Sequence, residues 1–250
     1  MGLFDRIKSN KHAALPKGAH LLTVKSVQAL TTQAVQIDFT VPDALSNNFK
    51  FQAGQYLTLA LDINGEQLRR SYSICSSSSA GLSIGVKAIA NGKASNFLQN
   101  IKVGEELIVF EPEGNFTWQP AYKKIVAIAA GSGITPIMSM LQTATDQTQF
   151  KLFYGNKSPE DALFLNEINA LQHTETLLFY SQKEVEGAHF GRINDVVLKE
   201  QIKNDLAMLQ ADAFFLCGPQ QMVETAEKTL SFFGVSPQKI HKELFFVSEE

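Results

Sequence analysis

The chain is poor in cysteine: among its 250 residues only Cys75 and Cys217 carry thiols. They stand far apart and in no metal-ligand spacing, which excludes a thiolate zinc site and a protein-held iron–sulfur cluster built from this chain alone. Such sparse cysteine fits a reducing compartment, and a cytoplasmic location is expected. No window approaches the ~20 apolar residues of a membrane helix, so membrane insertion is not expected. The mildly basic amino terminus (Arg6, Lys8, Lys11, Lys17) lacks the apolar stretch of a signal peptide. An excess of positive charge is missing too. With 22 basic and 25 acidic residues the net charge is −3, which argues against nucleic acid as a partner. His12, His20, His173, His189 and His241 are scattered, and no metal site is expected from them. Internal repeats and low-complexity tracts are absent.

What is present is an ordinary globular composition, 44% hydrophobic and 19% charged, in a chain long enough for two domains. The first half reads as strands. His20 to Leu30 and Thr32 to Val41 mix β-branched and polar residues with no helical stripe, and Tyr56 to Ile63 alternates before a turn at Asn64 and Gly65. Gly81 to Ala90 and Leu107 to Phe110 continue the pattern, with one short helix expected at Ser95 to Asn100. Many short strands with a single helix imply a small antiparallel β-barrel. Past Trp118 the texture changes. Short apolar runs at Lys123 to Ala130, Phe150 to Tyr154, Thr174 to Tyr180, Ala213 to Cys217 and Ile240 to Phe246 alternate with helical stretches near Pro136 to Thr145, Pro159 to Leu171, Ile193 to Ile202 and Pro219 to Phe232. That alternation predicts an α/β domain with a parallel sheet covered on both faces. The expected organisation is an arm over residues 1–19, where Leu3, Phe4 and Ile7 are helically spaced, a β-barrel domain over 20–119 and an α/β domain over 120–250.

Two segments carry the chemistry. In the first, Arg70 offers a charged fork suited to phosphate, Tyr72 an aromatic face with a hydroxyl and Ser73 a small donor. Alternation along a strand places Arg70 and Tyr72 on one side. In the second, an apolar strand ends at Ala130 and is followed by Gly131, Ser132, Gly133, Ile134, Thr135 and Pro136. The glycines permit a tight turn and close backbone approach, Thr135 and Pro136 suit an N-cap and first helical position, and a helix start there can receive a pyrophosphate. The motif departs from the dinucleotide fingerprint, because Pro136 stands where a third glycine belongs and no acidic residue closes the second strand.

The stretch RRSYSICS with Arg70, Ser71, Tyr72 and Ser73 is followed in order by Gly85, Val86 and Lys87, by Gly92, Lys93, Ala94, Ser95 and Asn96, and by Glu113, Gly114, Asn115 and Phe116. With Gly131 to Pro136 and the terminal His241 to Phe245, this series resembles the ferredoxin:NADP reductase family from about His20 to Phe246. The resemblance implies an FAD-binding barrel followed by an NAD(P)-binding domain. It implies that Arg70, Ser71, Tyr72 and Ser73 hold FAD, with Val86, Lys87, Gly92, Ala94 and Ser95 as a second wall. NADH or NADPH is then received by Gly131, Ser132, Gly133, Ile134, Thr135 and Pro136 together with Cys217, Gly218 and Pro219. Ser73, Cys217, Glu243 and Phe245 are expected around the hydride path: Ser73 near the flavin, Cys217 setting the nicotinamide position, Glu243 relaying a proton or balancing charge, and Phe245 covering the flavin. Where NADPH enzymes of the family commonly carry Ser then Arg, this chain has Ser181, Gln182 and Lys183, which leans toward NADH because a guanidinium is the better phosphate clamp; Lys183 and Arg192 are the compensating cations.

Phe51 to Leu59, RRSYSICS and the terminal HKELF look most like the reductase components of phenylacetate-degrading and related multicomponent oxygenases. Those usually carry a plant-type [2Fe–2S] domain after the second domain, whereas this chain stops at Glu250 with no C-x4-C-x2-C run. The implied activity is that of an FAD-dependent NAD(P)H reductase passing electrons to a one-electron carrier such as a ferredoxin or an oxygenase component. The alternatives are a free-flavin, ferric or quinone reductase, and a non-enzymatic flavin subunit of a larger complex; the latter loses ground because it uses a cysteine cluster that this chain lacks.

Overall fold

In the computed structural model the described residues are 15–245; the helical spacing at Leu3, Phe4 and Ile7 and the end of the last run at Phe246 lie outside them. The first six strands are β1 (Ala19–Thr31), β2 (Ala34–Thr40), β3 (Tyr56–Ile63), β4 (Glu66–Ser73), β5 (Leu82–Lys87) and β6 (Glu106–Phe110). They form one antiparallel sheet in the order β4-β3-β6-β1-β2-β5. The sheet curls until its two edge strands meet at one end, where Ile74 bridges Ile84 and the Cys75 amide donates to the Ser83 carbonyl at 2.9 Å. The expected barrel is therefore a curled sheet closed at one end. Its concave side holds Leu22, Ile37, Leu57, Leu59 and Ile84, all fully buried, and α1 (Lys93–Gln99) stoppers it with Ala94 and Leu98. The β3–β4 hairpin shows how local chemistry sets register. Asn64 and Gly65 both take positive φ, as a two-residue turn between right-twisted strands requires, and the Asp62 carboxylate accepts from the Gly65 amide at 2.9 Å.

The second sheet comprises β7 (Lys124–Ala130), β8 (Gln149–Asn156), β9 (Thr174–Tyr180), β10 (His189–Phe190), β11 (Ala213–Gly218) and β12 (Ile240–Leu244). All neighbours are parallel, in the order β10-β9-β8-β7-β11-β12. β7 and β11 are nearly continuous apolar runs because both of their faces are covered. On one face α2 (Ile134–Thr143) and α3 (Leu165–Asn169) pack on Ala127, Ala129, Phe215 and Cys217, and this cluster also takes in Ala34, Ala53, Cys75 and Phe116 from the first half of the chain. The two sheets thus share a core. On the other face α4 (Asp195–Asn204) and α5 (Gln220–Phe232) bury Leu198, Ile202, Val223, Ala226 and Leu230 against Ile128, Phe214 and Leu216. Strand order reverses between β7 and β11, so their carboxyl ends, at Gly131 and Gly218, flank a crevice of the kind that parallel sheets use for ligands.

The single helix expected over Pro159 to Leu171 is instead a 3₁₀ turn, Pro159–Asp161, followed by the short α3. The hydroxyl of Tyr154, fully buried, accepts from the Leu163 amide at 2.9 Å, and Phe164 then takes φ 58°, which interrupts the helical path. Burial pushes the Tyr154 phenol up, so it stays protonated, within 3.4 Å of the Gly131 carbonyl. Tyr154→Phe leaves the Leu163 amide without a partner in the core. It is expected to cost about 1–3 kcal/mol, read as a lowered urea midpoint with an unchanged slope.

Candidate functional site

A cleft of about 1270 Å³ runs between the carboxyl edge of the second sheet and the outer side of β4 and β5. From the first sheet it is lined by Arg70, Ser71, Tyr72 and Ser73. They extend from an edge strand whose full ladder is with β3, so side chains and backbone are both reachable. Ser73 is almost wholly covered, and Ser71 meets Thr58 hydroxyl to hydroxyl at 3.0 Å. Burial pushes the Tyr72 phenol up to about 12 against the opposing pull of Arg70, so it remains a neutral donor. A second wall follows β5: Lys87, the loop Ala88 to Gly92, and Lys93, Ala94 and Ser95 of α1. The loop is stapled to the helix, because Ser95 Oγ accepts from the Ile89 amide at 3.1 Å and Asn96 Nδ2 donates to the Gly92 carbonyl at 2.8 Å. Ser95 therefore shapes the loop, while Val86 points into the barrel core away from the cleft.

Across the cleft, β7 passes into a 3₁₀ turn, Gly131–Gly133, that runs directly into α2. This changes one expectation. Thr135 is not the N-cap but lies inside the first α-turn, its Oγ1 donating to the Ser132 carbonyl at 2.8 Å, and the capping position is taken by Gly133. The cause is the 3₁₀ turn, which the two glycines allow and which starts the helical path upstream of Thr135. Gly131 adopts φ 55°, a left-handed conformation suited to glycine. Gly131, Ser132 and Thr135 line the cleft, whereas Gly133, Ile134 and Pro136 are packed beneath it.

Cys217 is fully buried at the end of β11, and burial together with the charge of Glu243 pushes its thiol well up. Its side chain is closed off from the cleft, Gly218 does not line it either, and Pro219 reaches the lining. Glu243 is the register partner of Cys217 on β12. Its Oε2 is buried with no hydrogen-bond partner, and burial pushes its carboxyl up to about 7. Glu243 and Phe245 both line the cleft. Of the Ser181, Gln182 and Lys183 trio only Ser181 does so, since Lys183 is ion-paired with Glu160. Among the lining residues that the sequence did not single out are Tyr56, Asn156, Asn194, Met222 and Thr225. Asn156 could have been found from its place at a strand's carboxyl end; the others are brought in by packing that local pattern does not encode.

The cleft is electrostatically unlike the rest of the molecule. Its lining carries Arg70, Lys87, Lys93, Lys157 and Arg192 against the single carboxylate of Glu243, in a chain of net charge −3. Lys87 is depressed by burial, an effect that Asp161 at 3.8 Å opposes and the like charge of Lys157 reinforces. A long cleft with cations at both ends, a glycine-containing turn on one wall and an aromatic hydroxyl on the other fits two dinucleotides meeting end to end. Among the described residues no group of His, Cys, Asp and Glu could hold a metal ion, and no helix is long and apolar enough to cross a membrane.

Comparison with known proteins gives the same division of labour. Residues 21–118 match an oxidoreductase FAD-binding domain and residues 127–228 an oxidoreductase NAD-binding domain. The chain is 36% identical over 240 residues to a component of the 1,2-phenylacetyl-CoA epoxidase of Escherichia coli, covering 90% of this chain and 67% of that protein. It is 31% identical over 243 residues to the ferredoxin reductase component of 3-ketosteroid-9-alpha-monooxygenase of Rhodococcus rhodochrous, covering 92% and 67%. In structure it resembles the FAD/NAD-binding domain of nitric oxide dioxygenase from Vibrio cholerae, with a TM-score of 0.80 at 24% identity over 90% of this chain and 98% of that one. A ferredoxin NADP+ reductase from Neisseria gonorrhoeae with bound FAD and NADP gives a TM-score of 0.78 at 20% identity, covering 92% and 100%.

Proposed function

The chain belongs to the ferredoxin reductase-like oxidoreductases that join an FAD-binding to an NAD-binding domain, and on that premise we propose that it draws electrons from a nicotinamide dinucleotide and delivers them singly to an oxygenase component or a ferredoxin. The observation that carries this is the cleft to which both domains contribute walls, with its five cations and one protonatable carboxylate. Bound FAD supplies the redox chemistry, accepting a hydride and releasing electrons one at a time; the chain supplies orientation, charge and a proton store.

Arg70 is the phosphate fork of the first half, and Lys87 with the stapled Ala88 to Gly92 loop supports the other side of the same anion. Tyr72 offers a flat, neutral face. In the second half the turn at Gly131 and Ser132 lets backbone approach the second pyrophosphate, while Tyr154 fixes the turn from below. Ser73, Glu243 and Phe245 sit where the halves meet. Glu243 changes protonation near neutral pH and is the group able to hold or yield a proton there, whereas Cys217, a buried neutral thiol, acts by shape alone. The partner reading is supported by the relatives, among which are proteins named as the reductase parts of monooxygenases.

Anaerobic titration with NADH and, separately, NADPH tests the proposal: the visible flavin absorbance should bleach at near-stoichiometric nucleotide. A yellow protein reduced by neither would overturn it. Arg70→Ala should leave folding intact and weaken FAD binding by about 3 kcal/mol, on the order of 100-fold, measured as flavin retained after gel filtration and as Kd in fluorescence titration.

A further inference from the structure

Helix α2 belongs to the second half of the chain, yet one stripe of it faces the first. Thr135, Ser139 and Gln142 recur at steps of four and three residues, which places them on a single face of the helix. The buried Ser139 hydroxyl donates to the Ser76 carbonyl at 2.7 Å, and the Ser77 amide donates to Oε1 of Gln142 at 3.1 Å. Ser76 and Ser77 lie just past β4, and the Ser76 hydroxyl accepts from the Ser83 amide of β5 at 3.0 Å. Two residues of α2 are thus stapled to the strands β4 and β5 that wall the cleft.

Thr135 meets β5 through a contact of another kind. Gly85 lies between Ile84 and Val86, which are buried in the core of the first sheet, so by strand alternation it faces the other way, toward the second half. A Cβ at Gly85 would lie 2.5 Å from Cγ2 of Thr135, with Cζ of Phe164 and Cβ of Thr135 next at 3.6 Å, an ordinary contact. All three atoms belong to the second half. At Gly54, by contrast, a Cβ would collide with the Phe116 carbonyl of the same half, and a φ of 102° favours glycine in any case. Thr135 has no room to swing clear. It is 1% exposed, and turning its methyl away would take Oγ1 off the Ser132 carbonyl, to which it donates at 2.8 Å.

Resting on the reductase reading above, we propose that the bare backbone of Gly85 against the Thr135 methyl sets the spacing of the two halves, and that Gly85 and Thr135 are positioning residues for hydride transfer. In that step a C–H bond of the dihydronicotinamide breaks and its hydrogen passes with both electrons to the flavin, oxidising one ring and reducing the other. The reacting atoms have to approach within ~3–3.5 Å, and a misplacement on the order of 1 Å costs about 100-fold. A methyl on residue 85 would have to push Thr135 away by about 1 Å to reach normal carbon contact. Because Ser139 and Gln142 hold α2 further along, that shift falls on its first turn, beside Gly131 and Ser132 in the cleft lining.

The test compares Gly85→Ala, Thr135→Ser and the double variant in the FAD-loaded full chain. Thr135→Ser deletes the obstructing Cγ2 and keeps the hydroxyl. The limiting rate of flavin reduction is read by anaerobic stopped flow at saturating nucleotide, using whichever of NADH and NADPH reduces the wild type. Dissociation constants for FAD and for the oxidised nucleotide, and the urea midpoint, are read beside it. Gly85→Ala is expected to slow reduction about 100-fold while both dissociation constants stay within about threefold. Its urea midpoint should fall by about 0.5–1 M. Introduced into Thr135→Ser instead, the same alanine should cost less than about threefold in rate and leave the midpoint little moved, since the next atoms stand at 3.6 Å. Ser139→Ala loosens the seam from its other end without adding bulk, and should slow reduction by about tenfold at unchanged affinity. Reduction in Gly85→Ala and Ser139→Ala as fast as in the wild type, or slowed only through weaker nucleotide binding, overturns the positioning role. A Gly85→Ala loss that Thr135→Ser does not relieve overturns the contact as its cause. Either result leaves the reductase reading standing, whereas a wild type reduced by neither nucleotide sinks that reading and this inference with it.

Discussion

Gly133→Ala is expected to abolish nicotinamide-nucleotide binding and to destabilise the protein by about 3 kcal/mol, with FAD still retained by the first sheet. The φ of Gly133 is an ordinary helical −61°, so any residue could adopt its backbone conformation. Space forbids it. A Cβ there would collide with the carbonyl oxygen of Cys217, lie 2.6 Å from its carbonyl carbon and 2.9 Å from the Cα of Gly218. All three atoms are backbone of β11, a fully buried strand hydrogen-bonded on both sides, and cannot give way as a flexible side chain can. The mutant must push the start of α2 away from β11, and that moves Gly131 and Ser132, the cleft-lining residues proposed to present backbone to the second dinucleotide. Fluorescence quenching by adenine nucleotides, flavin content and a urea transition, measured on one preparation, separate loss of the nucleotide site from general unfolding. Full nucleotide affinity in a normally folded Gly133→Ala protein would show that the close approach of α2 to β11 does not build the site.

The same residue shows what could be read from the chain and what could not. Two glycines after a buried strand announce a tight junction, and the parallel sheet follows from short apolar runs spaced by helical stretches; β9 and β3 agree with their expected bounds to the residue, Thr174–Tyr180 and Tyr56–Ile63. Why Gly133 is glycine is not local information, because the atom it makes room for lies 84 positions later, at Cys217. The helix expected at Pro159 to Leu171 failed for a like reason: its periodicity is sound, but the Tyr154 hydroxyl takes the Leu163 amide. Of the residues singled out in the chain, Arg70 to Ser73, Gly131, Ser132 and Thr135 do line the cleft, and residue types suited to phosphate at short spacing are what made them stand out. Lys157, Asn156 and Met222 did not stand out, since each is brought in by sheet order alone. Cys217 was expected to set the nicotinamide position; its side chain lies fully buried beneath α2 and does not line the cleft.

Glu243→Gln is expected to make the protein more stable at neutral and alkaline pH, the reverse of what removing a charged group usually does. Burial raises the carboxyl of Glu243 to about 7 from its ordinary 4.5, and no hydrogen bond reaches Oε2. The folded state therefore holds a proton that the unfolded chain gives up more readily. Below about pH 4.5 both states are protonated and the carboxyl costs nothing; as pH rises through about 7 the folded protein must either bury a carboxylate or lose structure, and stability falls. The full difference corresponds to about 3 kcal/mol above roughly pH 8. His241, two residues away on the same strand, has its imidazole pushed down by burial and stacks on Phe215 at 4.8 Å between ring centroids. Its contribution has the opposite sign, since stability is lost as pH falls through its depressed range, so raw pH curves of the wild type mix the two. The difference between wild type and Glu243→Gln at each pH cancels the histidine and isolates the carboxyl. That difference should be near zero at about pH 4 and should grow in favour of glutamine up to about pH 8. The same substitution removes the proposed proton store in the cleft, and flavin reduction by the dihydronicotinamide should lose its dependence on a group titrating near 7. A stability difference that is flat with pH would mean that Glu243 is solvated and ionised in the folded protein. It would then have no proton to supply at neutral pH, and the pH dependence of reduction would have to originate elsewhere.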